Sequence, residues 1–189
     1  TGYIQHEFHL MALNLFEDMK IEGVKPDRVI YLCIVKACGH TQILELGRLI
    51  HTEIIKDGLE EDLTIANTLI DMYAKCGAFE KAEEVFRQLP VWNVVSWTAL
   101  IAGYCRHGSV GKALGCFELM QHEGISPNEI TFSCILQACG NMGIIAKGQE
   151  VHTHIEREGM LGKWRMLDTA LVDMYVKCGE LAKAKQVLD

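Results

Sequence analysis

The sequence predicts an all-α fold, a right-handed superhelical α-solenoid of stacked helix-turn-helix repeats. Three observations predict it. Apolar residues recur at three- and four-residue steps along most of the chain, which places them on single helical faces. Glycine and proline interrupt that periodicity where helices have to stop. The chain also matches itself at an offset of 101 residues, so its second half reuses the pattern of the first. Helix pairs of this size cannot bury their apolar faces alone, and need neighbours stacked on both sides.

The elements follow in order. ALNLFEDMKIEGVKPD (Ala12 to Asp27) is an apolar stripe closed by glycine and proline, and it matches ALGCFELMQHEGISPN (Ala113 to Asn128). KACGHTQILELGRLIHTEI (Lys36 to Ile54) matches QACGNMGIIAKGQEVHTHI (Gln137 to Ile155). DMYAKCGAFEKAEEVF (Asp71 to Phe86) matches DMYVKCGELAKAKQVL (Asp173 to Leu188), with one extra residue accumulated. Three different sub-repeats thus alternate in a fixed order. The stretch Val94 to Asn128 shows one unit in full. Trp97, Leu100, Ile101, Tyr104 and Cys105 share one helical face, Gly108 breaks the pattern, and Ser109 is the expected N-cap of a second helix. Ala113, Leu114, Phe117 and Met120 make the second stripe, which Gly124 and Pro127 end.

Composition narrows the class. Of 189 residues, 49% are hydrophobic and three are proline, so the chain is packed rather than disordered. A formal charge of −7 argues against indiscriminate binding to nucleic acid or to an anionic membrane. No apolar run approaches the roughly 18 residues of a membrane span. The opening TGYIQHEF does not look like a targeting peptide and enters a repeat mid-unit, so the chain is expected to be a fragment with any targeting segment upstream. Eight cysteines are present, of which Cys33, Cys38, Cys76, Cys105, Cys134, Cys139 and Cys178 fall at repeated positions in helical patterns, and Cys116 lies in another. No CxxC pair exists, so they are expected to be reduced core thiols in a reducing compartment.

NTLIDMYAKCG (Asn67 to Gly77), TALVDMYVKCG (Thr169 to Gly179) and the ACG…G…HT pattern resemble the pentatricopeptide repeat family, specifically its plant PLS subclass, in which three repeat types alternate. The resemblance covers essentially the whole chain. Its register implies a partial P unit over 1–27, an L unit over 28–62, an S unit over 63–93, a complete P unit over 94–128, an L unit over 129–164 and a partial S unit over 165–189. The tetratricopeptide repeat fits less well: Leu100 is followed by Ile101, Met120 fills its late small-residue site, and Gly124 precedes Pro127. In the implied solenoid the first helix of each unit, helix A, lines the concave face. Helix B lies outside, where EKAEEVFRQ (Glu80 to Gln88) presents solvated charge.

The resemblance implies modular reading of single-stranded RNA, about one base per repeat by two or three side chains. Its reading positions are the fifth and last residues of each unit. These are Asn67 with Asn93, Thr98 with Asn128, Thr169 without a last residue, and Asp27 without a fifth. By resemblance Thr with Asn favours adenine, Asn with Asn a pyrimidine and Thr169 a purine, so the core reads pyrimidine then adenine, 5′ to 3′. Hydroxyl and amide groups suit the task because they both donate and accept. Helix capping is the competing account of Thr98 and Asn67, and an ordinary turn that of Asn128. The L units carry Leu32 with Asp62 and Ser133 with Trp164, and neither pair is readable. Second-position residues Val95, Val29, Ile130, Thr64 and Met166 are the implied wedges between bases. Lys75, Arg106 and Lys177 are candidate phosphate contacts, or complements to a helix C-terminal dipole. His40 and Asn141 take that place in the L units.

Catalysis is not expected. Deaminase-like domains of this subclass need a zinc-bound water, a glutamate in HxE and a CxxC pair. HTE (His51 to Glu53) and HIE (His154 to Glu156) lack the CxxC, and His152 and His154 point to different sides of one helix. No cofactor or metal is implied, and no DNA or membrane partner. The resemblance implies an RNA-binding segment of a chloroplast or mitochondrial protein that guides C-to-U editing or other transcript processing. A scaffold that docks accessory editing factors on its L units, or associates with itself, is the alternative.

Overall fold

The computed structural model describes residues 2–188; Thr1, where the first partial P unit is expected to open, and Asp189, where the last closes, lie outside the described residues. Among the described residues there are eleven α-helices and no strands. They are α1 (Gly2–Ile21), α2 (Arg28–Thr41), α3 (Leu44–Lys56), α4 (Leu63–Lys75), α5 (Phe79–Gln88), α6 (Val94–Arg106), α7 (Val110–His122), α8 (Glu129–Met142), α9 (Ile145–Arg157), α10 (Arg165–Lys177) and α11 (Leu181–Leu188). No helix is long and apolar enough to cross a membrane.

The helix breaks have plain causes. Gly108 between α6 and α7 sits at φ +71, and Gly124 after α7 at φ +73, left-handed conformations that side chains disfavour. The position 101 residues before Gly108 is Glu7, and there α1 runs on without a break. Ser109 occupies the expected N-cap of α7, but its side chain makes no capping hydrogen bond.

The chain divides into two compact units, Thr1–Gly103 and Tyr104–Asp189. In the first, Leu13, Phe16, Tyr31, Ile34, Val35, Ile50, Ile54, Leu69, Ile70 and Met72 are buried. The recurring sequence signatures here turn out to be two halves of one packing device. Gly39 in α2 lies so close to α4 that an added Cβ would come within 3.1 Å of the Met72 Cα. At Gly47 in α3 the same atom would stand 2.6 Å from the Met72 sulfur. The two glycines therefore form a notch for Met72, and one turn of α3 later His51 Nδ1 meets the Tyr73 hydroxyl at 2.9 Å. ACG…G…HT is the notch and DMY is what fills it.

The second unit repeats the device. An added Cβ at Gly140 would lie 3.0 Å from the Met174 Cα, and one at Gly148 would lie 2.6 Å from the Met174 sulfur. His152 Nδ1 meets the Tyr175 hydroxyl at 2.8 Å. Phe117, Phe132, Ile135, Leu136, Val151, Ile155 and Leu171 complete that core.

All eight cysteines are free thiols, yet they do not all lie in the core. Cys38 and Cys139 are buried, and Cys33 is exposed, because Tyr31, Ile34, Val35 and Cys38 take the inner face of α2. Cys76 and Cys178 are the residues just after α4 and α10 rather than within them. Burial pushes the Cys38 and Cys105 thiols up to about 12 and Cys139 up to about 11, so these groups stay protonated and unreactive.

Candidate functional site

Helices α2, α4, α6, α8 and α10 begin with a repeated arrangement of three side chains. The first is the residue just before the helix. Asp27 Oδ1 accepts from the Ile30 amide at 2.8 Å, Asn93 Oδ1 from the Val95 and Ser96 amides at 2.9 and 3.0 Å, and Asn128 Oδ1 from the Thr131 amide at 2.9 Å. These residues cap otherwise unsatisfied amides. Capping uses one oxygen of each and leaves the Asn93 and Asn128 amide nitrogens as donors for another partner. Asp62 caps α4 in the same way, and Arg28 also binds it through two hydrogen bonds, at 2.6 and 3.1 Å. The Arg28 guanidinium holds the Asp62 carboxyl below the usual carboxylate range. Trp164, in the same place before α10, makes no side-chain cap.

The second side chain lies one residue inside the helix. Val29, Val95, Ile130 and Met166 are all exposed apolar groups, and Thr64 is exposed as well. A recurrent apolar side chain left in water at one helical position is unusual in a core-forming pattern.

The third lies a full turn inside. Asn67 and Thr98 are each 8% exposed, and neither is a cap. Thr98 Oγ1 donates to the Val94 carbonyl at 2.6 Å and Thr169 Oγ1 to the Arg165 carbonyl at 2.8 Å, so each hydroxyl proton is held by its own helix. Asn67 differs, because its Oδ1 is buried with no hydrogen-bond partner. An orphaned buried acceptor costs about 1–3 kcal/mol, and native structures keep few of them. Ser133, in the same place on α8, is 6% exposed and its Oγ is likewise unpartnered.

The three candidate phosphate contacts are not equivalent. Lys75 is largely covered and paired with Asp71 at 2.5 Å. Lys177 pairs with Asp173 at 2.7 Å and donates to Asn141 Oδ1 at 2.9 Å. Arg106 is exposed and has Ala102, not an aspartate, one turn before it. His40 stacks on His9 with centroids 4.5 Å apart.

Within the second unit the helix starts converge on a groove of about 540 Å³ between α8 and α10, lined by Ser133, Gln137, Arg165, Met166, Thr169 and neighbours. Met166 and Thr169 were legible as site residues; Ser133, Gln137 and Arg165 were not. The signal available for Ser133 is its hydroxyl at the position that matches Thr98 and Asn67 on α6 and α4. Among the described residues no group of three or more His, Cys, Asp or Glu is placed to hold a metal ion.

The PPR repeat family model matches residues 92–141, the PPR repeat model residues 64–94 and 169–189, and the pentatricopeptide repeat domain model residues 1–41. A chloroplastic pentatricopeptide repeat-containing protein of Arabidopsis thaliana is 38% identical over 175 residues, covering 92% of this chain and 24% of that protein. A mitochondrial one from the same plant is 35% identical over 190 residues, covering 100% of this chain and 27% of that protein. The chain thus spans about a quarter of the length of these relatives. Among solved structures, the maize pentatricopeptide repeat protein PPR10 is similar at a TM-score of 0.68 and 25% identity, over 92% of this chain and 25% of that one. PPR10 in complex with an 18-nt psaJ RNA element is similar at a TM-score of 0.77, again at 25% identity, over 91% of this chain and 26% of that one.

Proposed function

Since the chain belongs to the pentatricopeptide repeat family, we propose that it binds single-stranded RNA in a sequence-specific manner, as a PLS-type segment that guides C-to-U editing or other processing of chloroplast or mitochondrial transcripts. The observation that carries this reading is the buried, unpartnered Oδ1 of Asn67. It lies where the family resemblance puts a base-reading group, and a base-edge donor would satisfy it. The similarity to an RNA-bound PPR10 structure and the chloroplastic and mitochondrial relatives support the same reading. In this proposal the P, L and S units alternate over 1–27, 28–62, 63–93, 94–128, 129–164 and 165–189. Asn67 with Asn93 takes a pyrimidine, Thr98 with Asn128 takes the following adenine, and Thr169 and Asp27 serve the incomplete outer units. The exposed Val29, Thr64, Val95, Ile130 and Met166 separate bases, and Arg106 is the strongest of the three phosphate candidates.

Fluorescence anisotropy with short RNAs that vary only these two bases tests the proposal. The expected result is a preference for pyrimidine then adenine, and Thr98→Asn shifts the second preference to a pyrimidine. Binding blind to both bases and to that substitution would sink it.

One observation favours a second reading, docking of an accessory editing factor on an L unit. A cavity of about 230 Å³ in the first unit is bordered by His51, Ile55 and Glu60 of the proposed L unit and by Ala66, Leu69, Val85, Gln88 and Leu89 of the proposed S unit that follows. A salt titration separates the two, because RNA affinity falls with added salt through counterion release whereas an apolar protein contact responds little.

A further inference from the structure

We infer that Arg28 is a specificity-determining residue that silences Asp62, the last residue of the proposed L unit 28–62; this rests on the RNA-binding reading above. The two side chains come from opposite ends of that stretch. Arg28 Nε donates to Asp62 Oδ2 at 2.6 Å and Nη2 donates to Oδ1 at 3.1 Å, the two-point grip that a planar guanidinium makes on a carboxylate. Asp62 Oδ1 also accepts from the Thr64 and Ile65 amides at 2.9 and 3.0 Å as it caps α4. The guanidinium and the two amides together occupy about as much as a carboxylate can accept. Little acceptor capacity is left for a base, and the guanidinium cancels the negative charge.

The same place before other helices shows what this latch takes away. Asn93 and Asn128 cap α6 and α8 through Oδ1 and keep an amide nitrogen for a further partner. Asp27 is an aspartate in that place before α2, where Oδ1 caps the Ile30 amide and, among the described residues, no ion pair holds the carboxylate. Asp27 and Asp62 are thus one residue type in two states, open and closed. What differs is the residue that opens each stretch. Arg28 opens 28–62, whereas 63–93, 94–128 and 129–164 open with Leu63, Val94 and Glu129, none of which can donate to a carboxylate. Leu32, the other candidate reader of 28–62, has no polar group, so discrimination there depends on Asp62. Exposed ion pairs add little to stability, so the main consequence of this one is chemical. A freed carboxylate only accepts. Guanine and uracil turn an imino N–H toward their pairing edge, where adenine and cytosine carry a ring-nitrogen lone pair that a carboxylate repels.

The test is anisotropy of the whole chain on RNAs carrying A, C, G or U opposite 28–62. The parent is expected to bind all four within about twofold of one another. Arg28→Ala bares a negative charge and weakens every RNA, but the guanine and uracil RNAs less, which opens a preference of about 5–10-fold over adenine and cytosine. Arg28→Lys keeps the charge, loses the two-point grip and gives a smaller preference. Adding Asp62→Ser, which retains a helix cap, to Arg28→Ala makes binding flat again. A purely structural ion pair would change affinity or stability without splitting the four bases. Carbon-13 NMR titration of the Asp62 carboxyl gives a readout without RNA: Arg28 holds that group below the usual carboxylate range, and Arg28→Ala should raise it. A carboxyl that does not move would overturn this inference. So would an Arg28→Ala chain that binds all four bases alike while Asn67→Ala still erases the preference at its own base, a result that leaves RNA recognition standing. Failure of the parent chain to bind any RNA would overturn both.

Discussion

The two matching repeat pairs, α2–α5 over 28–93 and α8–α11 over 129–188, are the same machine on their packed side and different machines on their exposed side. In both, two glycines make a notch for a methionine, and a histidine ring nitrogen meets a tyrosine hydroxyl next to it. At the helix starts the likeness ends. The first pair has Leu32, Asn67 and an Asp62 clamped by Arg28. The second has Ser133 and Thr169 on a groove wall and an exposed Trp164 that makes no cap. Close packing tolerates little change in volume, so the buried signatures recur almost letter for letter. The helix starts carry no such constraint and are free to vary.

The largest effects should appear where the pairs agree. Met72 and Met174 are both 0% exposed. Met72→Ala and Met174→Ala should each lower stability by about 2–5 kcal/mol in denaturant melts, and clearly unequal losses would show that the two notches are not equivalent. Filling the notches is milder. Gly47→Ala and Gly148→Ala drive a Cβ against a flexible methionine terminus and should each cost about 1–3 kcal/mol.

A third prediction uses a point where the pairs differ. Gln42 closes α2 in a left-handed conformation at φ 58, where the second pair has Gly143 at φ 67. Gln42→Gly should therefore stabilise the protein by roughly 0.5–1 kcal/mol, and Gly143→Gln should do the reverse.

The smallest effect is a pH dependence. Burial lowers the His51 pKa from its usual 6.5, so the folded protein favours the neutral ring. The unfolded chain then binds the proton first as pH falls. The stability contributed by neutral His51 is complete above about pH 6.5 and is lost as pH drops from there through the lowered folded value. Thermal melts from pH 7.5 to 5 should show a decline that His51→Gln reduces.

The fold was legible because its signals are local and repeated. Gly108 and Gly124 announced turns, and Trp97, Leu100, Ile101 and Tyr104 announced a buried face, all of which the structure shows. The sequence did not reveal that ACG…G…HT and DMY belong together, since the contact between Gly47 and Met72 joins residues on different helices. Nor did it separate Cys33 from the core, because an exposed and a buried thiol look alike in a helical pattern. At the candidate site, residue type alone could not distinguish the capping Asn93 from the uncapped, orphaned Asn67. That distinction depends on where each side chain finds partners. Likewise, residue type alone does not show that Lys75 and Lys177, candidate phosphate contacts in the sequence, pair with Asp71 and Asp173.

The most direct test of the account is the base preference of Asn67→Thr. With Asn93 unchanged, the unit then carries the combination proposed for Thr98 and Asn128. Anisotropy against RNAs varied at that base should show the preference moving from a pyrimidine to adenine, with about a tenfold swing in relative affinity. An unchanged preference, or equal loss of affinity for all four bases, would contradict the claim that this face reads RNA one side chain at a time.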